Sequence, residues 1–358
     1  MGNKFTLSLI ATFLTYFFAA AQTISGYVYD EMEHKPLEGA NVYLDGTTHK
    51  TVTDGKGYFS LSVPQKINTI LAVSFMGFQT YLMENPFDQK SPVTIILKED
   101  ATKLNEVVIS KSTLFSRKEM LRAFRKNFLG QSPAGSSCKI ENEDDIFLYY
   151  DTQTLTLIAE ARKPIQLINK RLKYHVVFDL EGFQVNYRQK TLNEVDIVNS
   201  FFAGTTFFAD SSENGNADKK RNEAYLGSHS HFLKSLANGK TAEEKYELYV
   251  DKFKADFAEY FAVEDTVNVK KISVVKTPPR PNIILGSKQK EPKVSKFRFV
   301  RYTILYDKKL QSFLTFDRGV FYVDKNGLFT PINEVLFGGY MGTLKAGDLL
   351  PVDYDYKG

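Results

Sequence analysis

Between Thr23 and Lys98 the chain repeats one cadence: a short run of apolar, aromatic or β-branched residues, then a turn built on Gly, Asp or Pro. The runs are Ile24–Tyr29, Ala40–Leu44, Thr51–Thr53, Tyr58–Val63, Ile70–Phe75, Phe78–Leu82 and Val93–Leu97. Strands this short cannot hide an apolar face as isolated hairpins, whereas two stacked sheets can bury each other's faces. The spacing therefore predicts a β-sandwich of about seven strands. Gly46, Gly55, Gly57 and Gly77 fall between the runs, where positive backbone angles are cheapest for glycine. Asp54-Gly55-Lys56-Gly57 lacks the spaced ligands of a calcium loop and the Gly-Lys-Ser/Thr ending of a phosphate loop, so it reads as a plain turn.

The ends of this segment set its context. Lys4 precedes an uncharged run from Phe5 to Ala21, closed by Ala19-Ala20-Ala21-Gln22. A basic start, an apolar core and a small-residue exit are the layout of a cleavable secretory signal, so residues 1–21 are expected to be removed after Ala21. Met1–Thr6 also fits the loose myristoylation pattern, which constrains far fewer residues. Export makes disulfides available, yet Cys138 is the sole cysteine and can form none internally. It is expected to serve as a small buried hydrophobe. At 358 residues the chain is long enough for two or three domains, and 29 Phe with 20 Tyr supply β-rich cores. A formal charge of +4 gives no concentrated basic footprint for nucleic acid.

Four stretches carry a family resemblance: Thr23–Asp30, Pro36–Val42, Thr53–Phe59 and Val73–Phe78. They resemble the carboxypeptidase-regulatory-like, transthyretin-like β-sandwich domain found ahead of envelope proteins of Bacteroidetes-type bacteria. The resemblance implies a scaffold over residues 22–100 and no peptidase activity, because such domains are not the catalytic part of carboxypeptidases. Leu97–Ile109 is similar to the exit strand and connector that precede the plug of TonB-dependent receptors. About 250 residues then remain, fewer than that family's plug and barrel need, so a different body is expected. Ala224–Leu236 and Gly338–Pro351 look like uncharacterised bodies of the same exported group, a likeness that brings no site map.

Beyond a connector at 101–116, residues 117–358 read as one mixed α/β unit dominated by strands; composition leaves a subdivision near 280 open without establishing a third domain. Met120, Leu121, Phe124 and Phe128 recur at helical offsets and predict a helix over Arg117–Leu129 that docks on its own domain. Its basic remainder leaves peripheral membrane association open. Strands are expected at Asp145–Tyr150, Leu155–Ile158, Tyr174–Phe178, Gly182–Tyr187, Phe297–Tyr306, Phe313–Phe316, Gly319–Val323 and Leu328–Thr330. Helices are expected at His229–Leu236 and at Glu243–Phe261, where Tyr246, Tyr249, Val250, Phe253, Phe257 and Phe261 recur near one face. Pro278–Pro281 and Gly286–Pro292 mark an exposed crossing. The fold class is accordingly mostly β with α/β additions.

Reactive chemistry is sparse. His229 and His231 could share a metal with Glu223, Glu243 or Glu244, but a helix start would splay them by about 200°. His175 and Asp179 would stand about 13 Å apart along a continuous strand. Ser136-Ser137-Cys138 has no sequence-defined base. Lys288, Lys290, Lys293, Lys296, Arg298 and Arg301, with Phe297 and Phe299 interleaved, could contact an anionic glycan or lipid headgroup, but the alternation also fits a strand with Phe297 and Phe299 inward and Lys296 and Arg298 outward. No catalytic, cofactor-binding or metal-binding residue is assigned, and no cofactor is expected. The reading is a non-catalytic envelope accessory protein of the periplasm, outer membrane or exterior, its partner an envelope protein or surface glycan and not nucleic acid. The alternatives are a secreted hydrolase with its site in residues 117–358, and a purely structural component.

Overall fold

The computed structural model describes residues 22–100, 114–277 and 300–356. The expected leader (1–21), residues 101–113 of the connector and the 278–299 crossing, with Lys288, Lys290, Lys293, Lys296, Arg298, Phe297 and Phe299, lie outside the described residues. The chain divides into two compact units, one formed by residues up to 44 together with 49–100, the other by 45–48 together with the rest.

The first unit contains seven strands: β1 (Gln22–Asp30), β2 (Asn41–Leu44), β3 (Lys50–Val52), β4 (Tyr58–Val63), β5 (Leu71–Ser74), β6 (Tyr81–Met83) and β7 (Val93–Leu97). One sheet runs β4-β1-β7 and the other β3-β2-β5-β6. Alternation sorts the side chains: Phe59, Leu61 and Val63 of β4 enter the core with Val93, Ile95 and Leu97 of β7, while Tyr58, Ser60 and Ser62 face out. Gly26 is needed where β1 passes between these rows. A Cβ there would lie 2.6 Å from Val93 Cγ2 and 2.9 Å from Phe59 Cε1. The Asp54–Gly57 segment is a turn: Asp54 Oδ1 accepts from the amides of Lys56 and Tyr58, and Gly57 takes φ +73°. Gly46 and Gly77 also have positive φ, but Gly55 does not.

The second unit holds two hydrophobic cores. The first is built on α1 (Arg117–Phe128), β8 (Cys138–Ile140), β9 (Ile146–Asp151), β10 (Thr156–Ala161), β11 (Ile165–Asn169), β12 (Tyr174–Tyr187) and β13 (Ile197–Asp210). Strand β12 is continuous over 14 residues and replaces the two strands expected at Tyr174–Phe178 and Gly182–Tyr187. Its first half pairs with β11 and its second with β10 along one edge, while β13 follows the other edge. Between Leu180 and Gly182 the register against β13 slips, leaving Glu181 as an extra residue. The slip inverts the alternation, so Tyr174, Val176 and Phe178 before it share the buried side with Phe183, Val185 and Tyr187 after it.

Helix α1 covers that side. Ser116 caps it reciprocally with Glu119, and Met120, Ala123, Phe124 and Phe128 are buried. The Phe128 and Phe178 rings stand 5.0 Å apart, and Phe124 and Phe183 4.7 Å. Three of its five basic residues meet local acceptors: Arg125 pairs with Glu143, Lys126 with Glu194, and Arg117 donates to the carbonyls of Glu143 and Ile146. The apolar face thus docks on its own sheet. No helix among the described residues is long and apolar enough to cross a membrane.

Helix α2 (Asp218–Tyr225) packs Ala224 on the first core, and the second core gathers α3 (His229–Ala237), β14 (Tyr246–Val250), β15 (Phe253–Ala255), α4 (Phe257–Tyr260), β16 (Phe261–Asp265), β17 (Val269–Val274), β18 (Tyr302–Tyr306), β19 (Leu310–Phe316), β20 (Val320–Asp324), β21 (Phe329–Thr330), β22 (Val335–Gly338) and α5 (Gly339–Thr343). Its sheets are β15-β14-β18-β19-β22 and β16-β17-β20-β21. Strands from either side of residues 278–299 pair in both sheets, β14 with β18 and β17 with β20. The single helix expected at Glu243–Phe261 is not formed: that stretch is β14, β15, the one-turn α4 and the start of β16. Asp251 and Lys252, at φ +48° and +72°, make the tight turn between β14 and β15 that a continuous helix forbids. The molecule is mostly β, a seven-strand region followed by a larger mixed body.

Two changes test this architecture. Phe124→Ala should cost the second unit about 3–5 kcal/mol in urea unfolding, the usual range for emptying a fully buried aromatic site. Deleting Glu181 should do worse, turning Phe183, Val185 and Tyr187 away from α1. Retention of a cooperative unfolding transition with native near-UV dichroism in that deletion variant would refute the bulge as the device that aligns β12.

Candidate functional site

The paired histidines sit at the start of α3, where Ser228 is the N-cap and its hydroxyl accepts the His231 amide. They diverge as a helix start requires. The buried His231 ring accepts the Gly227 amide at Nδ1 (3.0 Å), with the Tyr246 hydroxyl 2.9 Å from the same nitrogen. Nδ1 therefore acts as acceptor and Nε2 carries the proton, placed 3.1 Å from Glu244 Oε2. Burial lowers the His231 pKa although Glu244 opposes it. Tyr225 and Tyr306 pack on the ring at 5.0 and 5.5 Å between centroids. Both ring nitrogens of His231 are engaged, Nδ1 with Gly227 and with Tyr246 of β14, and Nε2 with Glu244. Among the described residues no group of three His, Cys, Asp or Glu is placed to hold a metal ion.

The remaining sequence candidates are not brought together into a reactive pair, although His175 Nε2 is buried without a hydrogen-bond partner among the described residues. His175 and Asp179 both lie on the unbroken β12, so no turn brings them together. The hydroxyls of Ser136 and Ser137 donate to the carbonyls of Gln131 and Ala134, and the Cys138 thiol lies 3.3 Å from the Ala134 carbonyl. Burial, with the Asp348 carboxylate nearby, pushes the thiol up to about 12, which keeps it protonated and unreactive. Cys138 is half-buried and unpaired. Arg301, the one cation of the expected basic interval within the described residues, lies over the Phe313 ring at 4.7 Å.

A different place in the second unit combines concavity with uncommitted polar groups. A cavity of about 180 Å³ is lined by His229, Ser230, Lys234, Tyr225, Lys345 and Tyr354, with Asp348 and an apolar floor that includes Leu349 and Pro351. Helix α3 presents one wall and the stretch after α5 presents the other. His229 packs its ring against Phe337 at 4.4 Å and hydrogen-bonds the Met341 backbone. Burial, joined by the Lys345 charge, pushes its pKa down to about 4, so the imidazole is neutral at pH 7. Desolvation lowers both lysines as well. Lys345 donates to Ser200 Oγ at 2.9 Å, whereas the Lys234 ammonium lies 5.3 Å from the Tyr225 ring centre. Asp348 is committed to Ser132 and to the Lys345 amide.

Sequence reasoning did not select Lys234 or Lys345. Both lie in the two segments it did single out, Ala224–Leu236 and Gly338–Pro351, whose convergence is visible only once folded. A wider groove of about 710 Å³ beside β14 and β15 is lined by Lys245, Lys254 and Lys308 and by Glu247, Asp256 and Asp307. Its charges balance and partly pair, Lys254 with Glu247 at 2.7 Å and Lys245 with Asp307 at 3.9 Å. It offers no charge preference.

Comparison with known proteins bears on the N-terminal part. Residues 24–109 match the family model described as a CarboxypepD_reg-like domain. The chain is 41% identical over 108 residues to the TonB-dependent receptor SusC of Bacteroides thetaiotaomicron, covering 30% of this chain and 10% of the receptor. It is 29% identical over 112 residues to the TonB-dependent receptor P3 of Formosa agariphila, covering 30% and 11%. The chain thus spans about a tenth of the receptors it matches. Among solved structures, a type II cohesin–X-dockerin complex of Acetivibrio cellulolyticus aligns with 22% of this chain and 51% of its own, at 21% identity and TM-score 0.16. A protein of unknown function from Bacteroides fragilis, titled as membrane-associated, aligns with 55% of this chain and 84% of its own, at 15% identity and TM-score 0.18. Residues 24–109 are a CarboxypepD_reg-like domain, and the chain is of the exported, envelope-directed Bacteroidetes type.

The depressed His229 pKa has a direct consequence. Unfolded, the ring titrates near 6.5; folded, near 4. Between these values the unfolded chain binds a proton that the native one refuses, so this contribution is intact above pH 6.5 and lost as pH falls towards 4. His229→Gln, which retains a donor for Met341, should flatten the fall in melting temperature across that window. Parallel melting curves for the two proteins from pH 7 to about 4 would contradict the assignment.

Proposed function

We propose that this exported chain is a non-catalytic envelope accessory protein, in which the CarboxypepD_reg-like sandwich is the scaffold and the β-rich body binds an envelope protein or a surface glycan. One observation carries the reading. Of the side chains that sequence offered for catalysis, His231 and the Ser136–Cys138 donors are bound into the fold, while uncommitted polar groups line a concavity in the body. His231 is saturated by Gly227, Tyr246 and Glu244, and the Ser136–Cys138 donors point at backbone carbonyls. A nucleophile or general base must instead have a free atom within reach of a reacting group.

The N-terminal match supports the scaffold role, since a domain of this type is shared with much larger receptors of different overall length. Kinship with proteins titled TonB-dependent receptors makes an envelope assembly the natural setting for a partner. The sandwich core is closed by apolar residues of both sheets and contributes shape rather than chemistry.

The purified full-length mature chain, screened against envelope proteins and surface polysaccharides of its own cell, should retain one of them saturably and leave it chemically intact. Turnover of any polysaccharide or peptide in that panel, abolished by substitutions within one pocket, would replace this reading with a hydrolase.

A further inference from the structure

We infer that the 180 Å³ cavity beside the first turn of α3 is a binding site for a small hydroxylated carboxylate, of the size and chemistry of a single acidic sugar. The inference deepens the glycan side of the proposed function and rests on the body being a binding unit.

Three features of the wall specify the ligand. The first is positive charge without an internal partner. Lys234 makes no hydrogen bond or ion pair through its ammonium among the described residues; it has the Tyr225 face at 5.3 Å and the attraction of Asp324 and Asp355. Lys345 uses one N–H on Ser200, and an ammonium carries three. The carboxylate that shares the wall, Asp348, is already held by the Ser132 hydroxyl and the Lys345 amide. The backbone amides of His229 and Ser230, first in α3, have no intrahelical acceptor by position and favour negative charge. An incoming carboxylate would restore to both lysines the solvation that burial has taken.

The second feature asks for a hydroxyl. His229 is neutral and donates to the Met341 carbonyl, which leaves its other ring nitrogen as an acceptor. That acceptor disfavours a second anionic oxygen and suits an O–H. The third feature is shape: the part-buried Tyr354 gives aromatic surface for the C–H face of a ring, and the volume lies below the ~300–1,000 Å³ of drug-sized sites.

Calorimetric titration of the full-length mature protein with glucuronate, glucose and acetate separates these demands. Glucuronate should bind, with glucose (no carboxylate) and acetate (no hydroxyl) each at least about tenfold weaker. Lys234→Gln should weaken glucuronate about tenfold while the protein keeps a cooperative unfolding transition, since its ammonium makes no hydrogen bond or ion pair within the described residues. Lys345→Arg should retain binding and Lys345→Gln lose it. Absence of glucuronate binding at millimolar concentration to folded protein, equal binding of glucose, or an unchanged affinity in Lys234→Gln would each overturn the inference. Recovery of an envelope protein partner could still succeed in that event, so the two readings fail separately.

Discussion

The extra residue in β12 is the constraint on which the first core of the body depends. A β-strand points successive side chains to opposite faces, so a strand of 14 residues can serve one core along its length only if its pattern stays in phase with what covers it. Here the pattern changes phase: buried residues are even-numbered up to Phe178 and odd-numbered from Phe183. Glu181 absorbs the difference. Because of it, one helix can lay Phe128 on Phe178 and Phe124 on Phe183. Two strands, β11 and β10, then share a single edge of β12 end to end. With no disulfide available to Cys138, such packing has to do what a covalent link does elsewhere.

The same phase change explains part of what the sequence hid. Tyr174–Phe178 and Gly182–Tyr187 were each legible as strands because each alternates internally; the break between them imitates a turn. In β13 the doublets Phe201-Phe202 and Phe207-Phe208 mask alternation, although Phe208 is buried and Phe201 exposed, and the strand was not foreseen. Tyr246, Leu248 and Val250 form a clear period of two, but Phe253, Phe257 and Phe261 extend it into a convincing helical series. The turn that separates them uses Asp251 and Lys252 rather than Gly or Pro, so nothing punctuates the text. By contrast the sandwich was legible throughout, since glycines or prolines bound most of its strands, and helix α1 was legible through its apolar stripe.

Candidate chemistry misleads for a related reason. Histidine beside histidine looks like a ligand pair, yet a helix start sends one ring towards Tyr246 and Glu244 and the other towards Phe337 and Met341. The two rings end with opposite characters. His231 has every polar atom occupied, which makes it a strut. His229 keeps one nitrogen open beside two desolvated ammonium groups, which makes it part of a recognition surface. Residue type was visible in sequence; the number of free valences was not, because it depends on partners contributed by β14, β22 and the stretch following α5.

That last stretch governs how rigid the recognition surface is. Met341 is buried in the second core, and its amide donates to Ser312 Oγ at 3.1 Å. Ala346 is buried in the first core, where the Gly347 amide donates to the Leu129 carbonyl at 3.1 Å and the Gly347 carbonyl accepts from Asn169 at 2.8 Å. Gly347 leaves no room for a side chain, since a Cβ would come within 2.5 Å of Gly135 Cα. Lys345 lies between these two anchors, on a span too short to move independently of either. These anchors set its backbone, and burial with the hydrogen bond to Ser200 Oγ holds its ammonium. A site built this way gives up little conformational entropy when a ligand arrives, so a small cavity with few contacts can still discriminate by charge.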